Sequence, residues 1–242
     1  MKASAEIFNQ IVNERRSVRV YDAEVPFDTD AVTRSIDRAI LSPNSSNMQL
    51  WEFYRVRDPK KIAAIAAFCF NQPAARTATE LVIVVTRLDH WKEHAKHNVD
   101  HLKKQFKEPY GKKEEMALSY YQKVMPLLYS HDPMNILGFF KKLVATIKGI
   151  SGLTYWQVGY ADLRTIVHKS AALASQTIML SLKSEGYDSC PMEGFDSRKV
   201  KKYVGLPGGA EINMIISTGT AKPEGIYGER FRLDRSEVVF EV

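Results

Sequence analysis

Three guanidinium groups and a hydroxyl fall within five residues at Arg15-Arg16-Ser17-Val18-Arg19. Arginine forks grip phosphate oxygens bidentately, so this run can hold a phosphate and still place one cation on a neighbouring group. A plainer reading also accounts for Arg15 and Arg16, as cations complementing the negative end of a preceding helix. A second set, Ser42-Pro43-Asn44-Ser45-Ser46-Asn47-Met48-Gln49-Leu50-Trp51, offers amides and hydroxyls suited to a polar heterocycle, or forms a simple Asx/Ser turn. In Cys190-Pro191-Met192-Glu193-Gly194-Phe195, Pro and Gly flank a carboxylate and leave backbone N–H groups free to meet a ligand closely. Arg230 and Arg232, two residues apart in an extended segment, point two more cations to one side.

The elements that must carry these groups follow from apolar spacing. Ser4 ahead of Glu6, Ile7, Phe8, Ile11 and Val12 predicts a capped amphipathic helix to about Arg16. Asp28 or Asp30 caps a second helix with Val32, Ile36, Ala39 and Ile40 inward, stopped by Pro43. Trp51 to Val56 predicts a strand, Pro59 to Phe68 a helix, and Leu81 to Thr86 a buried strand. From Asp89 to about Lys148 the pattern is helical but interrupted at Pro109-Tyr110-Gly111, Pro126 and Asp132-Pro133. Small and apolar residues between about Ala161 and Ser184 predict a central buried helix closed by Gly186. A turn at Cys190-Pro191, a helix near Ser197 to Val204, a strand at Ile212 to Ser217 and an extended tail complete the chain. No repeat or linker divides it, so residues 1–242 are expected to form a single α+β domain, with a variable helical region at about 90–160.

Composition narrows the function classes. The 242 residues and 27.5 kDa suffice for a large core, and 45% hydrophobic with 26% charged residues excludes disordered and collagen-like chains. Two distant cysteines, Cys69 and Cys190, fit no zinc or disulfide spacing and suit a reducing compartment. Met1 to Glu6 runs straight into an amphipathic pattern without a secretory h-region, so a cytoplasmic protein is expected. The longest aliphatic run, Leu81 to Val85, is far too short to span a bilayer. A net charge of +6 favours anionic ligands, but much of it lies in lysine runs such as Lys103-Lys104, and no nucleic-acid-binding motif accompanies it.

Taken in order, the four strings resemble the FMN-dependent nitroreductase family, with its N-terminal RxS(x)K/R, central PSSxNxQPW, PxEGF turn and C-terminal K/RxR. The resemblance implies an α+β fold with a central, mostly antiparallel sheet flanked by helices, as an intertwined homodimer exchanging C-terminal tails. It implies that Arg15 and Ser17, with Arg230 and Arg232, hold the FMN phosphate, that Arg16 also belongs to the cofactor-binding set, and that Arg19 lies near N1 and O2 of the ring. Pro43, Asn44, Ser45, Asn47 and Gln49 would form the flavin loop. Asn71 would meet N3 and O4, while Pro191, Met192, Glu193 and Gly194 lie against the ring near N5. The reaction implied is ping-pong: NADH or NADPH reduces FMN, which then reduces a small-molecule acceptor such as a nitroaromatic or quinone. No side chain is required as nucleophile, and Glu193 is the one candidate for a direct contribution. Ala74 stands where many relatives carry a basic residue, Leu50 replaces the usual Pro, and Asn44 replaces the first Ser.

Other chemistries weighed are reductive dehalogenation or flavin cleavage on the same fold, and a basic binding protein that has lost flavin. His90, His94, His97 and His101 share one helix face and spell an HxxEH pattern, but they are read as a solvated face, with no metal assigned. The apolar, lysine-edged run Ile136 to Val144 is read as core or lid rather than membrane contact. Phe139, Phe140, Tyr155 and Trp156 are candidates for stacking on a planar acceptor. Neither nucleic acid nor membrane is expected as a partner.

Overall fold

A computed structural model describes residues 2–132, 134 and 136–242. The Met1 end of the leader reading and the Pro133 of the break predicted at Asp132-Pro133 lie outside these residues. Five strands form one sheet: β1 (Tyr21–Asp22), β2 (Trp51–Val56), β3 (Glu80–Thr86), β4 (Asp188–Met192) and β5 (Glu211–Ala221). β5 pairs with β1, β3 and β4, and β3 pairs with β2, all antiparallel. The helices are α1 (Ala3–Glu14), α2 (Thr29–Ala39), α3 (Pro59–Phe68), α4 (Pro73–Arg76), α5 (Trp91–Gln105), α6 (Lys112–Ser119), α7 (Met125–Tyr129), α8 (Ile136–Ser151), α9 (Tyr160–Ser184), α10 (Ser197–Val204) and α11 (Arg235–Val238).

The aliphatic run of β3 is buried along its whole length because helices cover both faces of the sheet. On one face Val82, Val84 and Ile216 meet Ala171, Ala174 and Ile178 of α9 and Val32 of α2. The alanines let α9 lie close against the sheet. On the other face Leu81, Ile83 and Ile215 meet Ile62, Ile65 and Ala66 of α3 and Val200 of α10. A third cluster, around Met48, Trp91, Met125 and Leu163, joins α5 and α7 to the N-terminal half of α9.

Asp28 caps α2 by accepting from the Asp30 N–H, and Gly186 takes a left-handed φ of 87° just past α9, as the sequence predicts. Four expectations change. Ser4 lies inside α1, whose N-cap is Lys2 without a side-chain bond, and no α1 residue is buried. Ile40 turns outward because α2 ends at Ala39. Pro191 is not in a turn but within β4, opposite Ile216, on a strand whose other edge is bridged at Ser189. A proline without an N–H fits such a sparsely paired edge. Pro126 does not break its helix: a π turn at Tyr120–Val124 joins α6 to α7 and widens the backbone just ahead of it.

Candidate functional site

The arginine segment and the C-terminal arginines, more than 200 residues apart in sequence, line one cleft of about 180 Å³. Arg15, Arg16, Ser17, Arg19, Arg230 and Arg232 form its walls together with Tyr227 and Glu229. The backbone explains the meeting. Arg19 N–H donates to Gly225 O at 2.7 Å and Lys222 N–H to Val20 O at 3.0 Å, lacing the tail onto the strand entry. Gly225 permits it, since a Cβ there would sit 2.5 Å from Val20 O. Arg16 Nη2 then donates to Gly228 O at 2.8 Å, and Arg230 Nη2 donates to the carbonyls of Asn13 at 2.8 Å and Arg15 at 2.6 Å.

Arg230 therefore caps the negative end of α1, the task the plainer sequence reading gave to Arg15 and Arg16. Arg15 is held below the usual guanidinium range, first by burial and then by Arg230, Arg232 and Arg16. Among the described residues none of these five arginines makes an ion pair with a carboxylate. A cluster of uncompensated cations repels itself until an anion enters, and this cleft is built for one.

β4 connects the cleft to a second group. Val18 N–H donates to Ser189 O at 3.1 Å, and the strand then carries Pro191 and buried Met192 out to exposed Glu193 and Gly194. Gln72 Nε2 donates to Gly194 O at 2.6 Å, fastening this end to the Phe70-Asn71 turn. Both turn residues are left-handed, with φ 56° and 54°, a conformation costly for a phenylalanine and kept where surroundings enforce it. Phe70 is 71% exposed, and Glu193 is exposed as well. Cys190, buried between the groups, has its thiol raised by burial against the opposing pull of Arg19 and Arg15. Burial also pushes Cys69 up to about 11, so both cysteines are inert packing groups.

The loop carrying Pro43, Asn44, Ser45, Asn47 and Gln49 is elsewhere. It enters β2 at Trp51, which pairs with Thr86 and through it with Glu211, whereas Ser17 bridges Ser189, which pairs with Thr218. Those two rungs of β5 lie about 23 Å apart at ~3.3 Å per residue. The loop shares no hydrogen bond or cleft with the arginines among the described residues. Its own shape is rigidly specified. Asn44 Oδ1 accepts from Gln49 N–H at 2.8 Å, Asn47 and Asn98 exchange two 3.0 Å bonds, and Ser46, Asn47 and Gln49 all have φ near 50°. The Asn44 and Asn47 side chains thus build the loop, leaving Ser45 and Gln49 turned to solvent.

Beside it Ser45, Ser46, Tyr120, Tyr129 and Tyr155 line a cavity of about 280 Å³. Tyr120 O–H and Ser46 Oγ are 2.7 Å apart, and Tyr121 O–H donates to Ser46 O at 3.0 Å. The π turn brings consecutive tyrosines to one serine, a contact that sequence periodicity did not suggest. Of the aromatics named as candidates for stacking on an acceptor, Tyr155 lines this cavity, whereas Phe139 and Phe140 meet edge to face in the open. His94, His97 and His101 line a different hollow with Asn47 and Gln49, and His94 Nδ1 is 2.7 Å from Met48 O. No three His, Cys, Asp or Glu groups among the described residues are arranged to hold a metal.

Ala74, where the resemblance led to expecting a basic residue, is a residue of α4 and is buried in the core. Sequence reasoning also missed Gln72, Gly225 and Tyr227, whose ring lies 5.3 Å beneath the Arg19 guanidinium. An aromatic in an arginine-rich tail is the only signal that would have found the last.

The profile of the Nitroreductase family matches residues 12–220. The chain belongs to the nitroreductase family. It is 26% identical over 232 residues to YdgI of Bacillus subtilis, which carries the name NAD(P)H nitroreductase, covering 94% of each chain. The solved structure of ydfN from Bacillus subtilis superposes with TM-score 0.74 at 20% identity, over 99% of this chain and 100% of that one. A protein of Exiguobacterium sibiricum solved in complex with FMN superposes with TM-score 0.64 at 22% identity, over 97% of each. This nitroreductase-family enzyme has their α+β architecture, with a central antiparallel sheet flanked by helices. The cation cleft is tied to β4 through the Ser17–Ser189 bridge, and the far end of β4 is tied to the Asn71 turn through Gln72.

Proposed function

We propose that the chain is an FMN-dependent NAD(P)H oxidoreductase reducing electron-poor substrates, nitroaromatics or quinones among them. The carrying observation is the anion cleft of Arg15, Ser17, Arg230 and Arg232, joined through β4 to Gly194 and Asn71. In this reading the cleft holds the FMN phosphate, with Arg16 beside it, and Asn71 meets the pyrimidine edge of the ring. Arg19, stacked on Tyr227, places a cation where a reduced ring gathers negative charge. Glu193 and Gly194 follow the last rung of β4 and present backbone N–H groups to the ring. FMN, if bound there, would supply a two-electron carrier between NADH or NADPH and the acceptor, the two being bound in turn in a ping-pong cycle. The protein's part is to orient both partners against one face, which supplies proximity without a nucleophilic side chain.

The active unit is a homodimer with exchanged C-terminal tails. The accessible surface of one chain is 15100 Å², against ~11,000 Å² for a compact monomer of this mass. Much of the excess is apolar: Ile7, Phe8 and Val12 of α1 and Phe231, Leu233 and Phe240 of the tail are exposed. A partner seated there would also bring its own Ser45, Asn47 and Gln49, with Pro43 and Asn44 behind them, to this chain's cleft. That resolves why the loop stands apart from the arginines within one chain. Anaerobic reduction with NADH or NADPH, followed by product analysis with a nitroaromatic, a quinone and a haloaromatic, tests the reading. Reduction of the first two without dehalogenation or loss of flavin supports it, and dehalogenated product alone would replace it.

A further inference from the structure

Three histidines of α5 form a wall that the anion cleft does not use. His94, His97 and His101 fall within about 60° of arc at 100° per residue. They are not merely a solvated face, since together they line a hollow of about 560 Å³, inside the roughly 300–1,000 Å³ range of small-molecule sites. Trp51 and Phe53 of β2 line it too, with ring centroids 6.5 Å apart, and offer aromatic surface to a planar molecule. The flavin loop contributes Asn47 and Gln49. Among the described residues no Asp or Glu lines the hollow.

The histidines select the sign of a ligand. His94 Nδ1 lies 2.7 Å from the Met48 carbonyl, which can only accept, so a neutral His94 carries its proton on Nδ1. Its Nε2 can then donate only when the ring is charged. His97 stacks on His94 with ring centroids 5.9 Å apart. Two imidazolium rings that close oppose each other, and an anion held between them removes the opposition. The other charged groups near this wall are already engaged. Asp100 pairs with Lys96 at 2.5 Å, His90 is turned to Arg87, and Glu93 faces His90 at 3.9 Å.

We propose that this hollow seats an electron-poor aromatic acid, with the histidines meeting its carboxylate and Trp51 and Phe53 its ring. The inference rests on the proposed function, which brings Asn47 and Gln49 to the partner's flavin, so that a molecule in the hollow lies beside the shared site as an acceptor. A metal ion is the wrong occupant, because no three His, Cys, Asp or Glu groups among the described residues are arranged to hold one. An imidazole wall over aromatic rings instead matches a flat molecule that carries one negative charge. A segment of the partner subunit is the competing occupant, and it would exclude a small acid.

The test uses the full chain with excess FMN and two probes of one shape, para-nitrobenzoate and the uncharged para-nitrobenzamide. Equilibrium dialysis at about pH 6 should favour the benzoate by roughly tenfold, the lower end for one charge-assisted hydrogen bond. The preference should fade at about pH 8, where an imidazole is ordinarily neutral. His97→Gln with His101→Gln should bring the two probes close to parity at the lower pH. Both side chains are exposed, and circular dichroism checks that the variant is folded. A wild-type protein without the preference overturns the proposal, as does a preference that survives the double variant or is unchanged at the higher pH. Reduction of para-nitrobenzamide by NADH or NADPH in a protein lacking the preference removes this inference and leaves the functional reading standing. A histidine-dependent preference in a protein that reduces neither probe overturns the functional reading, and with it the acceptor role of the hollow.

Discussion

Arg230 donates a hydrogen bond from its guanidinium to the carbonyl of Arg15 at 2.6 Å, across 215 positions of sequence. This single contact closes the anion cleft, because it fixes the tail against the end of α1 and sets the guanidinium groups facing one space. It also separates two roles. Arg230 is engaged with protein carbonyls, whereas the Arg15 side chain is left among like charges.

Arg15→Ala and Arg232→Ala should each weaken FMN binding by roughly tenfold to a hundredfold, as expected for losing one charge-assisted bond of about 1.5–3 kcal/mol. Their melting temperatures without FMN should be unchanged or slightly higher, since a repelling cation is removed. Equilibrium dialysis with FMN and thermal melts of the flavin-free protein measure both. Unchanged FMN affinity in both variants would remove the phosphate assignment.

Arg230→Ala should behave differently. It uncaps α1, so the flavin-free protein should lose about 1–2 kcal/mol of stability in addition to FMN affinity. A variant as stable as the wild type in urea would show that the α1 carbonyls do not depend on it.

Gly225→Val should loosen the tail, because its Cβ would collide with the Val20 carbonyl. Overpacking of this kind costs about 1–3 kcal/mol. FMN affinity should fall with stability although no flavin contact is altered. A melt and a titration identical to wild type would contradict the lacing of residues 222–225 onto 18–20.

Acid should weaken the join between α2 and α9. Hydrogen bonds and charge from Arg34 and Arg38 lower the Glu185 carboxyl to about 2 from its usual 4.5. A carboxyl depressed in the folded state stabilises the protein above its unfolded pKa and ceases to do so as pH falls through the folded one. Glu185→Gln should therefore melt a few degrees, roughly 2–3 °C, below wild type at pH 7, and the gap should close between about pH 4.5 and 2. A gap that persists at pH 2 would assign the effect to packing.

On the proposed shared site, Ile7→Asp with Phe8→Asp should convert a dimer of twice 27.5 kDa into monomers and abolish FMN retention, because the proposal takes the flavin loop from the partner. Sedimentation equilibrium with absorbance at a flavin wavelength reads both at once. A monomer that holds FMN as well as the wild type would contradict the shared site.

What sequence conveyed and what it did not divides by physical cause. β2, β3, α3, α9 and α10 were legible because their burial is settled by periodicity within each segment. The meeting of Arg15 with Arg232 was legible only through family resemblance, as no local rule couples the two ends of a chain. α1 and α8 were recognisably amphipathic, yet amphipathicity does not state which body covers the apolar face, and neither face is buried within one chain. The left-handed Ser46 and Gln49 could not be read either. Their backbone signs follow from the bond between Asn44 and Gln49, and a serine or glutamine alone prefers negative φ. Pro191 looked like a turn because proline is rare in strands, and it escapes that rule only at an edge.

The central claim is that this cleft holds FMN and passes electrons from a nicotinamide. Purified protein should be given excess FMN, desalted, scanned in the visible, and scanned again after anaerobic addition of NADH or NADPH. The account expects a retained flavin spectrum that bleaches with at least one nucleotide and returns on adding an acceptor. A colourless protein that retains no FMN, or a bound flavin that neither nucleotide bleaches, would contradict it.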